Sequence, residues 1–139
     1  MVADTPITKT LLLGFAIRIA LILIFSYYEN IEDQAILFTD IDYKVYSDAT
    51  LYDSPYQRQT YRYSPLLSYL MVFNYTLHQS IGKIIFAIFD CIAMLFLHKI
   101  LQRHQSQVNK NYRLRSAAVI TKIYAYNPLF IYLTARGSC

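Results

Sequence analysis

The chain has 139 residues, of which 55% are apolar and only 16% are charged, and its formal net charge is +4. Soluble domains usually carry about a quarter of their residues as charges, so this composition favours a membrane protein. No basic run is interleaved with aromatic residues, as a nucleic-acid surface requires, and the two cysteines, Cys91 and Cys139, do not indicate a disulfide framework.

The first predicted element is an apolar run from Leu11 to Tyr28. At about 18 residues it is just long enough to cross a hydrocarbon core of roughly 30 Å. A cleaved signal peptide is the alternative for such a run near the amino terminus. The segment S-Y-Y-E-N lacks the small residues of a cleavage site, so the sequence favours a retained membrane anchor.

Two further spans are predicted, at Ile81 to Ile100 and at Ser116 to Thr134. The last one carries Pro128 after Asn127, and a proline there leaves a backbone carbonyl that neighbouring helices or a polar cavity must satisfy. The expected fold class is therefore an all-α membrane protein with about three transmembrane helices.

A short helix is predicted between the first two spans. Ser64 and Pro65 are typical of an N-cap and a first helical residue, and the helix should continue to Leu77 and lie at the membrane interface. Asn74-Tyr75-Thr76 is an N-glycosylation sequon. Its position near a membrane and within a helix argues against its use.

The charges between the spans predict the orientation of the chain. Five basic residues and no acidic residue lie from Lys99 to Arg115, whereas seven acidic and three basic residues lie from Glu29 to Ser64. Short loops rich in Lys and Arg stay in the cytosol. The loop 101–115 and the amino terminus are therefore predicted to be cytosolic, and the loop 29–80 to face a lumen or the outside.

Two charged residues lie near the middle of the predicted spans, Arg18 in the first and Asp90 in the second. A lone charge at that depth is costly, so we expect the two side chains to form a pair between the helices. Direct participation in substrate binding is the alternative. Lys83 and Lys122 lie closer to the span ends, where a long side chain can snorkel to the head groups.

Asp40-Ile41-Asp42 is the candidate catalytic motif. On an extended segment, residues i and i+2 point to the same face, so a carboxylate pair requires that the helix begin after Asp42, which is a favoured N-cap residue. Asp40 would then act as a general base and Asp42 would orient a group or a cation, and two close carboxylates raise each other's pKa. The alternative is that Asp42 only caps a helix and Asp40 is solvated.

Tyrosines and two arginines surround this motif. The tyrosines are Tyr43, Tyr46, Tyr56, Tyr61 and Tyr63. They are candidates for stacking on sugar rings, or for an interfacial aromatic belt. Arg58 and Arg62 are candidates for clamping a phosphate, because a guanidinium group matches phosphate oxygens bidentately; alternatively, they neutralise nearby aspartates.

Other kinds of site find no support in the sequence. The three histidines, His78, His98 and His104, are too scattered for a metal site, and no glycine-rich phosphate loop, Ser-His-Asp set or C-x-x-C occurs. The chain also has no room for the large α/β domain of a soluble nucleotide-sugar transferase. If a sugar is transferred here, a lipid-linked donor is the more plausible one.

The order and spacing of several motifs resemble a known family. They are F-T-D-I-D-Y, S-P-Y-x-R-x-T-Y-R-Y-S-P-L-L, G-K at the head of the second span with D-C inside it, N-P-L, and A-R-G. This pattern resembles the catalytic subunits of the first mannosyltransferase of glycosylphosphatidylinositol (GPI) anchor synthesis. The resemblance runs from the first span to Cys139.

The resemblance implies a GT-C-type, multi-span enzyme of the endoplasmic reticulum. Such an enzyme moves mannose from dolichyl-phosphate-mannose to glucosaminyl-phosphatidylinositol in the lumen, in alpha-1,4 linkage. It implies that Asp40 is the base and that Asp42 assists. Arg58, Arg62, Tyr43 and Tyr61 are the substrate-binding candidates that residue chemistry alone suggests. A divalent cation is possible but not required, and a small stabilising membrane subunit is the implied partner.

Members of that family are much longer than this chain. Residues 1–139 are therefore expected to form the amino-terminal part of the transmembrane domain, as a fragment or a truncated product. Two alternatives stay open: a non-catalytic short membrane protein that binds the partner subunit, and a related dolichol-dependent transferase with another acceptor.

Overall fold

The chain is helical throughout the part that the structure describes. The computed structural model describes residues 7–31, 38–107 and 113–138, with side chains over 7–31, 38–103 and 117–138, and no strand occurs within these ranges. The expected all-α fold class is confirmed for them. Several residues used above lie outside the described side chains: Glu32, Asp33, His104, Lys110, Arg113, Arg115 and Cys139.

Six α-helices and two 3-10 turns follow one another in the described residues. The α-helices are α1 (Ile7–Glu29), α2 (Ile41–Asp48), α3 (Pro65–Thr76), α4 (Ile81–Gln107), α5 (Arg113–Ala125) and α6 (Pro128–Arg136). The 3-10 turns are Ala49–Leu51 and Pro55–Gln57, both between α2 and α3.

Two of these helices are long and apolar enough to cross a membrane. The candidate spans, Ile7–Glu29 and Ile81–Arg103, have 23 residues each, and the most apolar 18-residue windows within them have mean hydropathies of 2.1 and 2.2. Only 22% and 17% of their most apolar windows are buried, whereas the core helix of a soluble protein would be mostly buried. The two helices thus fit a membrane protein, and the first two predicted spans are confirmed as long apolar helices.

The third predicted span is not one helix. The chain breaks at Tyr126 and Asn127 into α5, with 13 residues, and α6, with nine. Pro128 disfavours a helical conformation in the preceding residue, and Asn127 is indeed extended, with its side chain accepting a hydrogen bond from the N–H of Leu129 at 2.9 Å. The count of three spans is therefore not confirmed.

The short helix between the spans is confirmed as α3. Ser64 is its N-cap, with the hydroxyl accepting from the N–H of Leu66 at 3.4 Å, and Pro65 occupies the first turn. The helix ends at Thr76, and Leu77 is its C-cap.

A network around Arg18 and Asp90 joins four of the helices, and the predicted pair of these two residues is confirmed. The Nε of Arg18 lies 3.1 Å from Oδ2 of Asp90, and the Arg18 side chain is fully buried. Its Nη1 donates to the carbonyls of Gly14 and Ala125 at 3.0 Å each. On the other side, the hydroxyl of Thr134 donates to Asp90 Oδ2 at 2.5 Å. This network connects α1, α4, α5 and α6, and so sets the register of α6 against the two long helices.

A second buried cluster lies beside the network, in the segment between α1 and α4. Its members come from α2, the following loop and α3: Tyr43, Val45, Tyr46, Ala49, Tyr61 and Met71. This cluster holds α2 against the start of α4, because Phe86 of α4 packs edge to face on the ring of Tyr43.

Candidate active site

Asp40 begins α2, and in this respect the sequence prediction was wrong. Asp40, rather than Asp42, is the N-cap: its backbone is extended, and its Oδ1 accepts from the N–H of Asp42 at 3.3 Å. Both residues are suitable caps by type. Once Asp40 caps the helix, Asp42 falls in its first turn, where a carboxylate is favoured by the helix dipole.

The two carboxylates consequently differ in environment. Asp42 is exposed, whereas Asp40 is partly buried. The predicted alternation along an extended segment does not apply, because Asp42 already has a helical backbone. The two aspartates are thus two separate groups at the start of one helix, of which Asp40 is the one held in place by other parts of the chain.

The end of α6 holds Asp40. The hydroxyl of Ser138 donates a hydrogen bond to Oδ2 of Asp40, and the backbone N–H of Asp40 donates to the carbonyl of Arg136 at 3.0 Å. Arg136 in turn donates from Nε to the carbonyl of Phe38 at 3.1 Å. Two separate motifs, T-D-I-D and A-R-G-S, are therefore in direct contact.

These contacts set the charge of Asp40. The hydrogen bond from Ser138 lowers the pKa of the Asp40 carboxyl; the N–H of Asp42 and the Arg136 cation lower it further, against a rise from partial burial. The predicted mutual rise in pKa between two aspartates is not what the structure shows for Asp40. The carboxylate is ionised at neutral pH, and so is able to accept a hydrogen bond or a proton.

Gly137 and Tyr43 complete the contact between α6 and α2. Gly137 ends α6 in the left-handed conformation, with φ of 83°, which favours glycine. A β-carbon there would overlap Cδ2 of Tyr43 and lie 2.8 Å from its Cγ. The glycine of the A-R-G motif is thus required both by its backbone and by the ring beside it.

Tyr43 is buried rather than open to a sugar. Its ring is 2% exposed, and its hydroxyl donates to the carbonyl of Gln79 at 2.8 Å and accepts the N–H of Lys83 at 3.2 Å. Burial raises the pKa of Tyr43 to about 12, so the phenol stays neutral. The residue connects the start of α2 to the start of α4.

Asn74, the sequon residue, is used inside the protein. Its Oδ1 accepts the N–H of Gly82 at 2.6 Å, and its Nδ2 donates to Ser47 Oγ at 2.7 Å. A β-carbon on Gly82 would overlap Met71 Sδ, so this approach also requires glycine. Since both ends of the amide are engaged and the side chain is buried, Asn74 is not available to a glycosylating enzyme in the folded chain.

A buried ion pair at the same place was missed by the sequence analysis. Lys83 was expected to snorkel, but it is 2% exposed; its Nζ donates to Thr39 Oγ1 at 2.7 Å and lies 3.9 Å from Glu29 Oε2. Glu29 also accepts the Thr39 hydroxyl at 2.6 Å and the Thr39 N–H. The available signal was the G-K motif at the head of α4, because it places a lysine at the start of one apolar helix while Glu29 lies at the end of the other.

The two arginines have different surroundings. Arg58 pairs with Asp48, with 2.8 Å between Nη2 and Oδ2, and its Nη1 donates to Thr60. This geometry matches the alternative in which the arginine neutralises an aspartate. Arg62 is exposed, and its Nη1 donates to the carbonyl of Tyr61 at 3.3 Å.

Most of the loop tyrosines form a packed cluster. Tyr43, Tyr46 and Tyr61 are buried, Tyr63 is half-buried and Tyr56 is exposed. Tyr61 packs edge to face on both Tyr56 and Tyr63, and its hydroxyl donates to the carbonyl of Ser64 at 2.5 Å. Tyr43 and Tyr61 therefore shape the loop and present no open ring face here. Within the described residues, no three His, Cys, Asp or Glu side chains gather as a metal site.

Together, these features define an all-helical protein with two membrane-length helices and an aspartate-bearing junction at one end of them. The junction consists of the start of α2 (Asp40–Tyr43), the end of α6 (Arg136–Ser138) and the start of α4 (Gly82–Lys83). A family model described as GPI transamidase subunit PIG-U matches residues 12–139. The chain belongs to this family.

The chain is also similar to several curated proteins named GPI mannosyltransferase 1. It is 37% identical to the one from Saccharomyces cerevisiae over 131 residues, which are 91% of this chain and 30% of that relative. It is 35% identical to the Dictyostelium discoideum protein over 137 residues, covering 95% and 30%, and 36% identical to the Debaryomyces hansenii protein over 138 residues, covering 95% and 33%. The predicted resemblance is confirmed. The chain spans about a third of the length of these relatives, and no solved structure matches it.

Proposed function

We propose that this chain forms the aspartate-bearing part of a GT-C-type mannosyltransferase of GPI-anchor biosynthesis. The reaction is the transfer of the first mannose from dolichyl-phosphate-mannose to glucosaminyl-phosphatidylinositol, in alpha-1,4 linkage. The observation that carries the proposal is the junction: the motifs shared with the mannosyltransferase pattern meet around Asp40, at the ends of two membrane-length helices. The similarity to relatives named GPI mannosyltransferase 1 supplies the reaction.

In this proposal, Asp40 is the general base. Its ionised carboxylate accepts the proton of the acceptor hydroxyl, whose oxygen then bonds to the anomeric carbon of mannose as the bond to the phosphate oxygen breaks. The leaving group is dolichyl phosphate. Asp42, exposed at the same helix start, orients the acceptor. Arg62 is the better placed of the two arginines to contact substrate, because Arg58 is engaged by Asp48.

Tyr43 and Tyr61 act in this proposal through positioning. Tyr43 fixes the start of α2 against Gly137 and Lys83, and Tyr61 supports the turn that leads into α3 through its bond to Ser64. A divalent cation stays a prediction from the sequence.

The proposed setting is the membrane of the endoplasmic reticulum, with α1 and α4 as spans. Residues 29–80 face the lumen, while the amino terminus and residues 101–115 are cytosolic, as the charges between the spans favour. Residues 1–139 form the amino-terminal part of the transmembrane domain. A small membrane subunit is the proposed stabilising partner.

The test is a chimera in which this chain replaces the matching segment of the yeast relative. It is expressed in cells that lack the first GPI mannosyltransferase, and surface GPI-anchored proteins are counted by flow cytometry. We expect the chimera to restore them, Asp40→Asn to abolish and Asp42→Asn to reduce restoration, and the exposed control Asp53→Asn to have no effect. Full restoration by Asp40→Asn would refute the catalytic assignment.

The family description supports a second candidate, a membrane subunit of a GPI transamidase that performs no sugar transfer. In that case the chimera would fail in cells lacking the mannosyltransferase, and a corresponding chimera would function in cells lacking the transamidase subunit. Two further alternatives are a non-catalytic short form and a transferase with another acceptor. An assay of the chimera with purified acceptors separates them.

A further inference from the structure

A polar cavity lies beside the junction and is not used by the chemistry proposed for Asp40. It has a volume of about 170 Å³, far more than the ~10–15 Å³ that one water requires. Its wall includes Ser26 and Glu29 from the last turn of α1, and Ser80 and Lys83 from the start of α4. Because the cavity lies where α1 ends and α4 begins, it is at the depth of lipid head groups in the membrane setting proposed above.

The wall of this cavity carries an excess of positive charge. Its charged residues are Lys44, Lys83 and Glu29, so the formal sum is +1. Glu29 is already engaged, since one carboxylate oxygen accepts the Thr39 N–H and the other accepts the Thr39 hydroxyl. The Glu29 carboxylate therefore balances the charge of Lys83, and the charge of Lys44 has no matching anion on the wall of the cavity.

Lys83 is the deeper of the two cations. It is 2% exposed. Its ammonium group donates a hydrogen bond to Thr39 Oγ1 at 2.7 Å and lies 3.9 Å from Glu29 Oε2. Burying a lysine is costly unless its charge is compensated. A purely structural ion pair would need one cation only, yet Lys44 lines the same cavity.

We propose that this cavity binds the phosphate of a phosphorylated lipid. Lys83 and Lys44 supply the cationic contacts, and the hydroxyl of Ser26, which accepts a hydrogen bond from the hydroxyl of Ser80 at 3.2 Å, supplies a further donor. The excess charge selects an anion, and the position at the ends of two apolar helices selects one carried by a lipid. The position of the cavity at the membrane surface and the identity of the lipid both rest on the proposed function.

The structure favours this cavity over Arg58 as the phosphate site. Arg58 is committed to Asp48 in a partly exposed pair, whereas Lys44 has only its backbone N–H in a hydrogen bond among those described, to the carbonyl of Asp40. That bond also places Lys44 one helical turn from Asp40. A phosphate held by Lys44 and Lys83 is therefore close to the proposed base.

The test is direct binding to the full 139-residue chain in dodecyl maltoside, which contains no phosphate. The probes are farnesyl phosphate, dioctanoyl phosphatidylinositol, inorganic phosphate and uncharged farnesol, with affinity measured by calorimetry. We expect farnesyl phosphate or the inositol lipid to bind, and farnesol and inorganic phosphate to bind at least tenfold more weakly. The lipid that binds more tightly shows whether the site prefers an isoprenyl phosphate or an inositol phospholipid.

Two lysine variants locate the site. Lys44→Gln should weaken binding of the preferred lipid by about tenfold or more, the loss expected for one charge-assisted hydrogen bond. Lys99→Gln is the matched control, because it removes an exposed lysine of α4 far from Lys83 at the start of that helix, and it should leave the affinity unchanged. Lys83→Met should abolish binding; if it fails to fold, Lys44→Gln decides.

The proposal is overturned if Lys44→Gln binds as the wild type does, or if farnesol binds as well as farnesyl phosphate. Equal affinity for inorganic phosphate would show a site for the free anion and would also overturn it. The binding assay involves no catalysis. Its failure is therefore distinct from that of the chimera test, which depends on Asp40.

Discussion

Gly137 and Tyr43 touch so closely that a β-carbon on the glycine would lie 2.8 Å from Cγ of the tyrosine ring. Gly137 is the C-cap of α6, and Tyr43 stands in the first turn of α2. The contact means that the end of α6 and the start of α2 can adopt their places only together. The position of Asp40 depends on both.

Gly137→Ala should consequently destabilise the chain. The left-handed backbone costs an L-residue about 1–2 kcal/mol, and overlap with the Tyr43 ring adds to it, so we expect a loss of at least ~2 kcal/mol in the free energy of unfolding. Gly14→Ala is the matched control, because its β-carbon would meet Ala125 atoms only at 3.4 Å and beyond. Thermal unfolding in detergent measures both, and equal midpoints for the two variants would contradict the prediction.

Ser138→Ala should reduce stability in a pH-dependent way. The pKa of Asp40 is lowered from its ordinary 3.8, so its hydrogen bonds stabilise the folded chain above that pH, and this stabilisation is lost as the pH falls through the lowered value. We expect a loss of about 1 kcal/mol at pH 7 that shrinks below pH 3.8.

Unfolding curves at pH 7 and at acid pH check this prediction. Ser54→Ala is the control, because the Ser54 side chain forms no cap hydrogen bond. A loss of the same size at both pH values would mean that Ser138 acts only through packing.

The Arg18–Asp90 pair should be sensitive to single substitutions. Asp90→Asn leaves the fully buried Arg18 guanidinium without its counter-charge, which costs about 3 kcal/mol or more, and the yield of folded protein should fall. The exchange Arg18→Asp with Asp90→Arg should recover only part of the yield of folded protein, because Arg18 also donates to Gly14 and Ala125.

The folded fraction is measured by size-exclusion chromatography in detergent. The double variant Arg18→Met with Asp90→Met removes both charges, and should yield more folded protein than Asp90→Asn. Lys99→Met serves as the control. A normal yield for Asp90→Asn would show that the pair contributes nothing.

The sequon at Asn74 should carry no glycan. The chain made in cells with a glycosylating lumen should have the same electrophoretic mobility with and without glycosidase. Thr76→Ala removes the sequon at an exposed residue and should leave mobility unchanged. A mobility shift that depends on Thr76 would mean that Asn74 is modified before its contacts with Gly82 and Ser47 form.

Some features were predictable because their signals are local or strongly penalised. Ser64 and Pro65 mark the start of α3 by residue type alone. Arg18 and Asp90 could be paired because a lone charge in an apolar helix is so costly that one partner was the natural expectation.

Other features depended on residues far apart in the chain. Asp40 and Asp42 are equally suitable caps, and the choice between them involves contacts with Arg136 and Ser138. The burial of Lys83 depends on Glu29 and on Thr39, which connects the two. Tyr43 could not be assigned to the core from sequence, because its environment is assembled from three helices.

The bond between Asp40 and Ser138 spans 98 positions of the chain. A ribosome therefore completes α1, α2, α3 and α4 well before it has made the residue that fixes Asp40. During that interval the luminal loop proposed here would already be exposed to the enzymes of its compartment, with its acidic group unrestrained. Assembly of the candidate site is thereby tied to the synthesis of α6, so that a chain interrupted before residue 138 has the aspartate but not its final environment.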